Sequence, residues 1–227
     1  MGLSRTLEPE LLDLLPPDDP RALASRRDLQ RINLIMRQQT IMAGLLQALP
    51  PPRRFADLGS GDGRFLLGVA RRLAPYWPKV TVQIVDRQDI VSPETRAGFA
   101  ALGWECVTVT GDVLQVLPYL DADVIAVNLF LHHLRQTDLS HLLSLVATRA
   151  RGFVACEPRR SAAALLASHL VFALACNAVT RHDAVASVRA GFVGRELSQL
   201  WPDAGWRLRE GPALPFTHVF SAQRRAV

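Results

Sequence analysis

Lysine is almost absent from this 227-residue chain. Lys79 is the only one, and arginine carries the rest of the positive charge. The arginines are scattered rather than gathered in one block. The net charge of +5 therefore reads as a solvated surface and argues against a nucleic-acid footprint. Cysteine is scarce as well. Cys106, Cys156 and Cys176 are an odd set without metal-ligand spacing, which speaks against a disulfide framework or a cysteine metal centre. Cys106 and Cys156 fall in apolar strand patterns and are expected to be buried free thiols in a reducing, cytoplasmic compartment. No apolar run reaches the roughly 18 residues of a membrane span; the stretch from Ala162 to Cys176 is shorter and carries His169. The acidic, proline-rich N-terminus is unlike a signal peptide, and there is no internal repeat. What remains is a globular composition, 49% hydrophobic and 21% charged. It suits one domain with decorations and a full core.

The most informative stretch is Phe55-Ala-Asp-Leu-Gly-Ser-Gly-Asp-Gly-Arg-Phe65. Phe55, Ala56 and Leu58 read as a buried strand. Gly59, Gly61 and Gly63 form a turn that a Cβ would obstruct. From Arg64 the apolar residues Phe65, Leu66, Val69, Ala70 and Leu73 fall on one helical face. A glycine-rich turn from strand to helix lets backbone N–H groups approach a ligand at a helix N-terminus. The dinucleotide fingerprint G-x-G-x-x-G is not met, because Arg64 stands where its third glycine belongs. The order is Asp-x-Gly-x-Gly-x-Gly, and its acid, Asp57, would repel a pyrophosphate.

Residues 1–52 read as an N-terminal helical extension. A short apolar stretch, Leu11 to Leu15, is followed by a long helix from Asp19-Pro20 to about Leu49, ended by Pro50-Pro51-Pro52. This helix is expected to lid the site, with Asn33, Arg37 or Gln38 facing inward. From Arg53 strands alternate with helices: strands at Phe55–Gly59, Val80–Val85, Cys106–Thr110, Asp123–Val127 and Gly152–Cys156. That rhythm implies a doubly wound, Rossmann-like α/β fold with a mostly parallel sheet. Residues 159–193 depart from it as a helical, apolar insertion after strand five, including Leu165, Leu166, Leu170, Phe172 and Leu174. Gly194 to Trp201 reads as a helix, and Trp206–Glu210 with Thr217–Ser221 as a C-terminal antiparallel hairpin.

Ligands of open α/β sheets bind beyond the carboxyl ends of the strands. Asp57, Asp86 and Asp112 all stand there, after strands one, two and three. An acid after strand two can grip both ribose hydroxyls, and one after strand three can accept from an adenine amino group.

With these residues in view, the span Phe55–Pro158 and the pattern Glu196-Leu-Ser-Gln-Leu-Trp-Pro-Asp-Ala-Gly-Trp206 resemble the class I S-adenosylmethionine (SAM) methyltransferases. The resemblance covers most of the chain. It implies a seven-stranded sheet, with residues 53–227 as the catalytic domain, and SAM as cofactor with S-adenosylhomocysteine (SAH) as product. It places Asp57, Gly59, Gly61 and Gly63 at the methionine end, Asp86 and Arg87 at the ribose, Asp112 and Val113 beside the adenine, and Asn128 and Leu129 beneath the sulfonium. Asn128-Leu-Phe-Leu-His132-His133 resembles quinone-biosynthesis and related small-molecule methyltransferases. The insertion, with Cys156-Glu-Pro-Arg-Arg160 and Arg181-His-Asp183, resembles those associated with bacterial type III polyketide synthases.

The acid set of the metal-dependent catechol type is incomplete, so no metal is expected. No cysteine follows strand four, which leaves the C5-pyrimidine mechanism without a nucleophile. The expected activity is O- or C-methyl transfer to a small aromatic or lipid-like acceptor by a monomer or homodimer, without nucleic acid or membrane span. An RNA methyltransferase and a non-catalytic SAM-binding protein are the alternatives. His132 and His133 are candidate bases for a phenolic acceptor, His182 is a weaker one, and Phe130 and Arg181 are expected on the substrate side. Asp183 is expected to cap a helix beginning at Ala184. His218 is expected to be structural.

Overall fold

The computed structural model describes residues 3–170, 175–202 and 205–225. Phe172 and Leu174 of the expected insertion, and Asp203 and Ala204 of the C-terminal pattern, lie outside them. Seven strands form one sheet: β1 (Arg54–Leu58), β2 (Thr81–Asp86), β3 (Glu105–Thr110), β4 (Val124–Asn128), β5 (Gly152–Pro158), β6 (Trp206–Ala213) and β7 (Thr217–Arg224). Their order is β3-β2-β1-β4-β5-β7-β6. All pairings are parallel except those of β7 with β5 and β6. The strand order reverses between β1 and β4, which opens a crevice at their carboxyl ends.

Strand side chains alternate between two apolar layers. Ala56 and Leu58 of β1 face the layer that holds Val127, Leu142, Phe153, Trp201 and Phe220. Phe55 faces the other, with Leu46, Leu66, Trp77, Phe99 and Trp104. The flanking helices are α1 (Leu11–Leu14), α2 (Pro20–Ile35), α3 (Gln38–Gln47), α4 (Arg64–Leu73), α5 (Pro93–Ala101), α6 (Val113–Val116), α7 (Gln136–Arg149), α8 (Ala162–His169) and α9 (Ala178–Ala190). Asp19 caps α2 ahead of Pro20, and Ser92 caps α5 ahead of Pro93. Among the described residues no helix is long and apolar enough to cross a membrane.

Four sequence expectations change. The long N-terminal helix is two helices, broken at Met36–Arg37, where Arg37 takes a left-handed φ of 56°. The two halves dock in different places. Met42 and Leu46 of α3 join the core beside Phe55. In α2, Ser25 bonds Thr180, and Asp28 accepts from Asn177 N and from the Thr180 hydroxyl. One straight helix cannot satisfy both. Residues 194–200 form turns instead of a helix. The Glu210 carboxylate takes the N–H groups of Leu197 and Ser198, at 3.0 and 2.7 Å, which would otherwise extend a helical ladder. Asp183 caps no helix of its own: Asn177 caps α9, and Asp183 accepts from Leu11 N and Leu12 N at the start of α1. Cys106 is only partly buried, unlike Cys156. His218 is buried and paired with Glu210 at 2.8 Å, a structural role.

Residues 3–14 form a strap over the carboxyl ends of β4 and β5. Arg160 holds Leu3 O, and Thr6 N bonds Arg189 O. Arg5 reaches His132 O and Leu134 O and lies 4.8 Å above the Phe192 ring. Sequence patterning does not reveal this strap.

Candidate functional site

The turn after β1 runs through Gly59, Gly61 and Gly63, all at positive φ. At Gly59 glycine is required for a second reason: a Cβ there would stand 2.4 Å from the Phe130 ring. Phe130 therefore walls the turn. A Cβ at Gly61 would meet nothing within 4 Å, so that side of the turn is open. The turn is pinned to β2 by Gly59 N and Ser60 N, both on Val85 O. Asp86 completes the tie. Its carboxylate accepts from Gly61 N at 2.8 Å and from Gln88 N at 3.0 Å.

Asp57 is buried beneath the turn, at 3% exposure. Burial pushes its carboxyl up to about 7, against a Ser60 hydroxyl and with help from the Asp86 charge. At β3, Asp112 caps α6 through Leu114 N and pairs with Arg87 at 2.6 Å, so two expected cofactor residues stand together. The Arg87 guanidinium holds Asp112 below the usual carboxylate range. Val113 is buried at the start of α6.

β4 ends at Asn128, whose Oδ1 is buried without a hydrogen-bond partner among the described residues. Leu129 follows at φ 53°, a left-handed conformation that costs a branched side chain energy and is found at functional turns. The chain then folds into a short turn, Leu131–His133. Glu157, fully buried at the end of β5, organises it. Its carboxylate accepts from Phe130 N at 3.0 Å, Leu131 N at 2.8 Å and the His132 ring Nδ1 at 2.7 Å.

His132 is buried, and its second ring nitrogen faces Glu10 of the strap at 3.2 Å. Burial alone would lower its pKa, but the hydrogen bonds to Glu10 and Glu157 outweigh it and lift it to about 9. Burial would likewise raise Glu10, yet His132, His133 and Ser187 bring it down to about 2. With both ring nitrogens engaged, His132 positions the turn. His133 packs against it with the rings tilted by 34° and 4.2 Å between centroids, and is a quarter exposed.

His182 and Arg181 lie on the exposed side of α9, with His182 on its neighbour Asp183 at 2.9 Å. Asn33 and Gln38 do face inward: both are buried, and Asn33 Oδ1 and the Gln38 amide have no partner among the described residues. Arg37 points outward. A groove of about 670 Å³ opens between α2 and the start of α9, lined by Arg27, Gln30, Arg31, Leu34, Ala175 and Asn177. It borders the glycine turn, because Gln30 reaches Asp62 at 3.4 Å.

Sequence reasoning missed Glu10, Gln30 and Glu157. For Glu157 a signal existed: an acid closing a strand that is otherwise continuously apolar. For the other two there was none.

No family model and no curated protein matches the chain. Solved structures do match its fold. An O-methyltransferase family protein from Burkholderia thailandensis superposes with a TM-score of 0.63 at 18% identity, over 92% of this chain and 61% of that one. A plantazolicin methyltransferase, solved with a triazolic desmethyl analogue and SAH, gives 0.66 at 14% identity, over 92% and 93%. The magnesium protoporphyrin IX methyltransferase of Synechocystis, solved with SAH, gives 0.52 at 17% identity, over 83% and 82%. The chain spans about three fifths of the length of several methyltransferases that it resembles. At these identities the likeness is one of fold. It is the Rossmann-like, seven-stranded fold of the class I methyltransferases, with the antiparallel strand next to the edge.

Proposed function

We propose that the protein is a SAM-dependent methyltransferase acting on a small aromatic or lipid-like acceptor. The observation that carries this reading is a buried acid and a buried, unpartnered amide oxygen beside an open glycine turn. Among the described residues, Asp57 is a buried acid that forms no ion pair and Asn128 Oδ1 is a buried acceptor without a donor. Both suit a ligand that brings an ammonium and other N–H or O–H groups; a pyrophosphate would meet repulsion.

SAM supplies a methyl group already activated on a sulfonium. The chain's part is to hold it and to present the acceptor in line, which alone can account for much of the rate. Asp57 faces the ammonium. Asp86 takes the ribose hydroxyls, with Arg87 nearby, and Asp112 and Val113 border the adenine. Asn128 and the strained Leu129 form the floor below the sulfonium, and Phe130 closes the wall over Gly59. The acceptor enters along the groove between α2 and α9, where Leu34 and Ala24 offer apolar surface and Arg27 and Arg31 offer charge. Arg181 stands one helical turn after Asn177, on the same face of α9. The plantazolicin and magnesium protoporphyrin IX methyltransferases among the fold relatives support a small-molecule acceptor.

Calorimetry with SAH tests the cofactor assignment. Asp86→Ala is expected to weaken SAH binding about 10- to 100-fold, the worth of hydrogen bonds to a charged group. Equal affinity in the variant would remove Asp86 from the site.

A further inference from the structure

His132 and His133 share an arrangement of carboxylates around both rings. The ring Nε2 of each faces the same carboxylate, Glu10, at 3.2 Å for His132 and 3.9 Å for His133. The ring Nδ1 of each faces a different carboxylate: Glu157 at 2.7 Å for His132 and Asp13 at 3.3 Å for His133. The ligand atoms of Glu10, His132 and His133 lie within 4.8 Å of one another. A tetrahedral zinc ion with bonds of ~2.0–2.1 Å separates its ligand atoms by about 3.3 Å. The His132–Glu10 pair already meets that spacing. His133, a quarter exposed at the rim, has room to close the remainder.

A metal-bound histidine typically gives its other ring N–H to a carboxylate, which fixes the tautomer and aims the ring. Here that support exists twice, from Glu157 and Asp13. The Ser187 hydroxyl, on Glu10, orients the third donor. Two imidazoles and one carboxylate suit zinc and its first-row neighbours and not magnesium or calcium, which prefer oxygen.

We propose that Glu10, His132 and His133 bind a divalent transition cation of the zinc type, which fastens the N-terminal strap to the turn after β4. The donors come from segments 122 positions apart in the chain. Binding would therefore hold the strap closed over the carboxyl ends of β4 and β5. The inference does not depend on the methyltransferase reading.

The test uses the full chain without a polyhistidine tag, stripped with a chelator and then titrated with zinc by calorimetry and with cobalt(II) by visible absorption. One equivalent should bind, with the absorption of tetrahedral cobalt, and zinc should displace it. Glu10→Gln and His133→Ala should each weaken binding at least 100-fold. Asp13→Asn, at an exposed position that leaves the fold untouched, should weaken it about ten-fold through His133. Zinc should also raise the melting temperature of the wild type and not that of Glu10→Gln. Absence of binding by the wild type, or equal binding by the Glu10 and His133 variants, overturns the proposal.

Discussion

Glu157→Ala is expected to lower the unfolding free energy by about 3–5 kcal/mol, the usual cost of leaving a buried charge without its partner. Glu157 is fully buried, and its carboxylate is the acceptor for the His132 ring and for the N–H groups of Phe130 and Leu131. Alanine removes every one of these acceptors at once. Glu157→Gln keeps one oxygen for the backbone donors but loses the negative charge beside His132, so a loss of about 1–3 kcal/mol is expected. Urea unfolding of chelator-treated protein would measure both. The midpoint should fall in that order while the slope with denaturant stays constant. A midpoint unchanged in Glu157→Ala would mean that the turn after β4 is held by something other than this carboxylate.

Asp57→Asn is expected to stabilise the protein above neutral pH while it weakens the cofactor site. Asp57 keeps its proton to about pH 7 in the folded chain, against a reference value of 3.8. Between these values the unfolded chain has released a proton that the folded chain still holds. Stability from this group is therefore full at low pH and is lost as pH rises from about 4 to about 7. The difference of about 3 pH units corresponds to about 4 kcal/mol. The asparagine variant escapes that loss, so its advantage over the wild type should grow across this window and level off near pH 8.

SAH binding should show the opposite dependence. Wild-type affinity should rise as Asp57 ionises, because the carboxylate then faces an ammonium. The variant should bind more weakly and lose this pH dependence. Parallel stability curves for the two proteins would show that Asp57 ionises normally and stores nothing for a ligand.

These two acids differ in how visible they are in the sequence. Asp57 precedes a glycine turn, at the end of a strand whose alternation between layers is plain, and local pattern suffices to place it. The same holds for Asp86 and Asp112, because each strand of a parallel sheet ends on the same side. Glu157 and Glu10 are set by contacts with a histidine 25 and 122 positions away, and no periodicity records such a partner. The break at Arg37 escaped for a related reason. Nothing at that position is a helix breaker, and the chain turns there because α2 and α3 pack on different neighbours. The stretch after Gly194 has helical spacing, but Glu210 draws its N–H groups away. Local preference was legible, and competition from distant partners was not.

The central claim is a methyl transfer to a small molecule, and label from methyl-labelled SAM tests it most directly. The purified protein is incubated with labelled SAM and a lysate of the source organism. RNA, protein and organic-soluble compounds are then separated. The account predicts label in the organic-soluble fraction, reduced when Asp86→Ala replaces the wild type at the same subsaturating SAM concentration. Label in RNA or protein would contradict the small-molecule reading, and label nowhere, with no SAH binding by calorimetry, would contradict the methyltransferase reading itself.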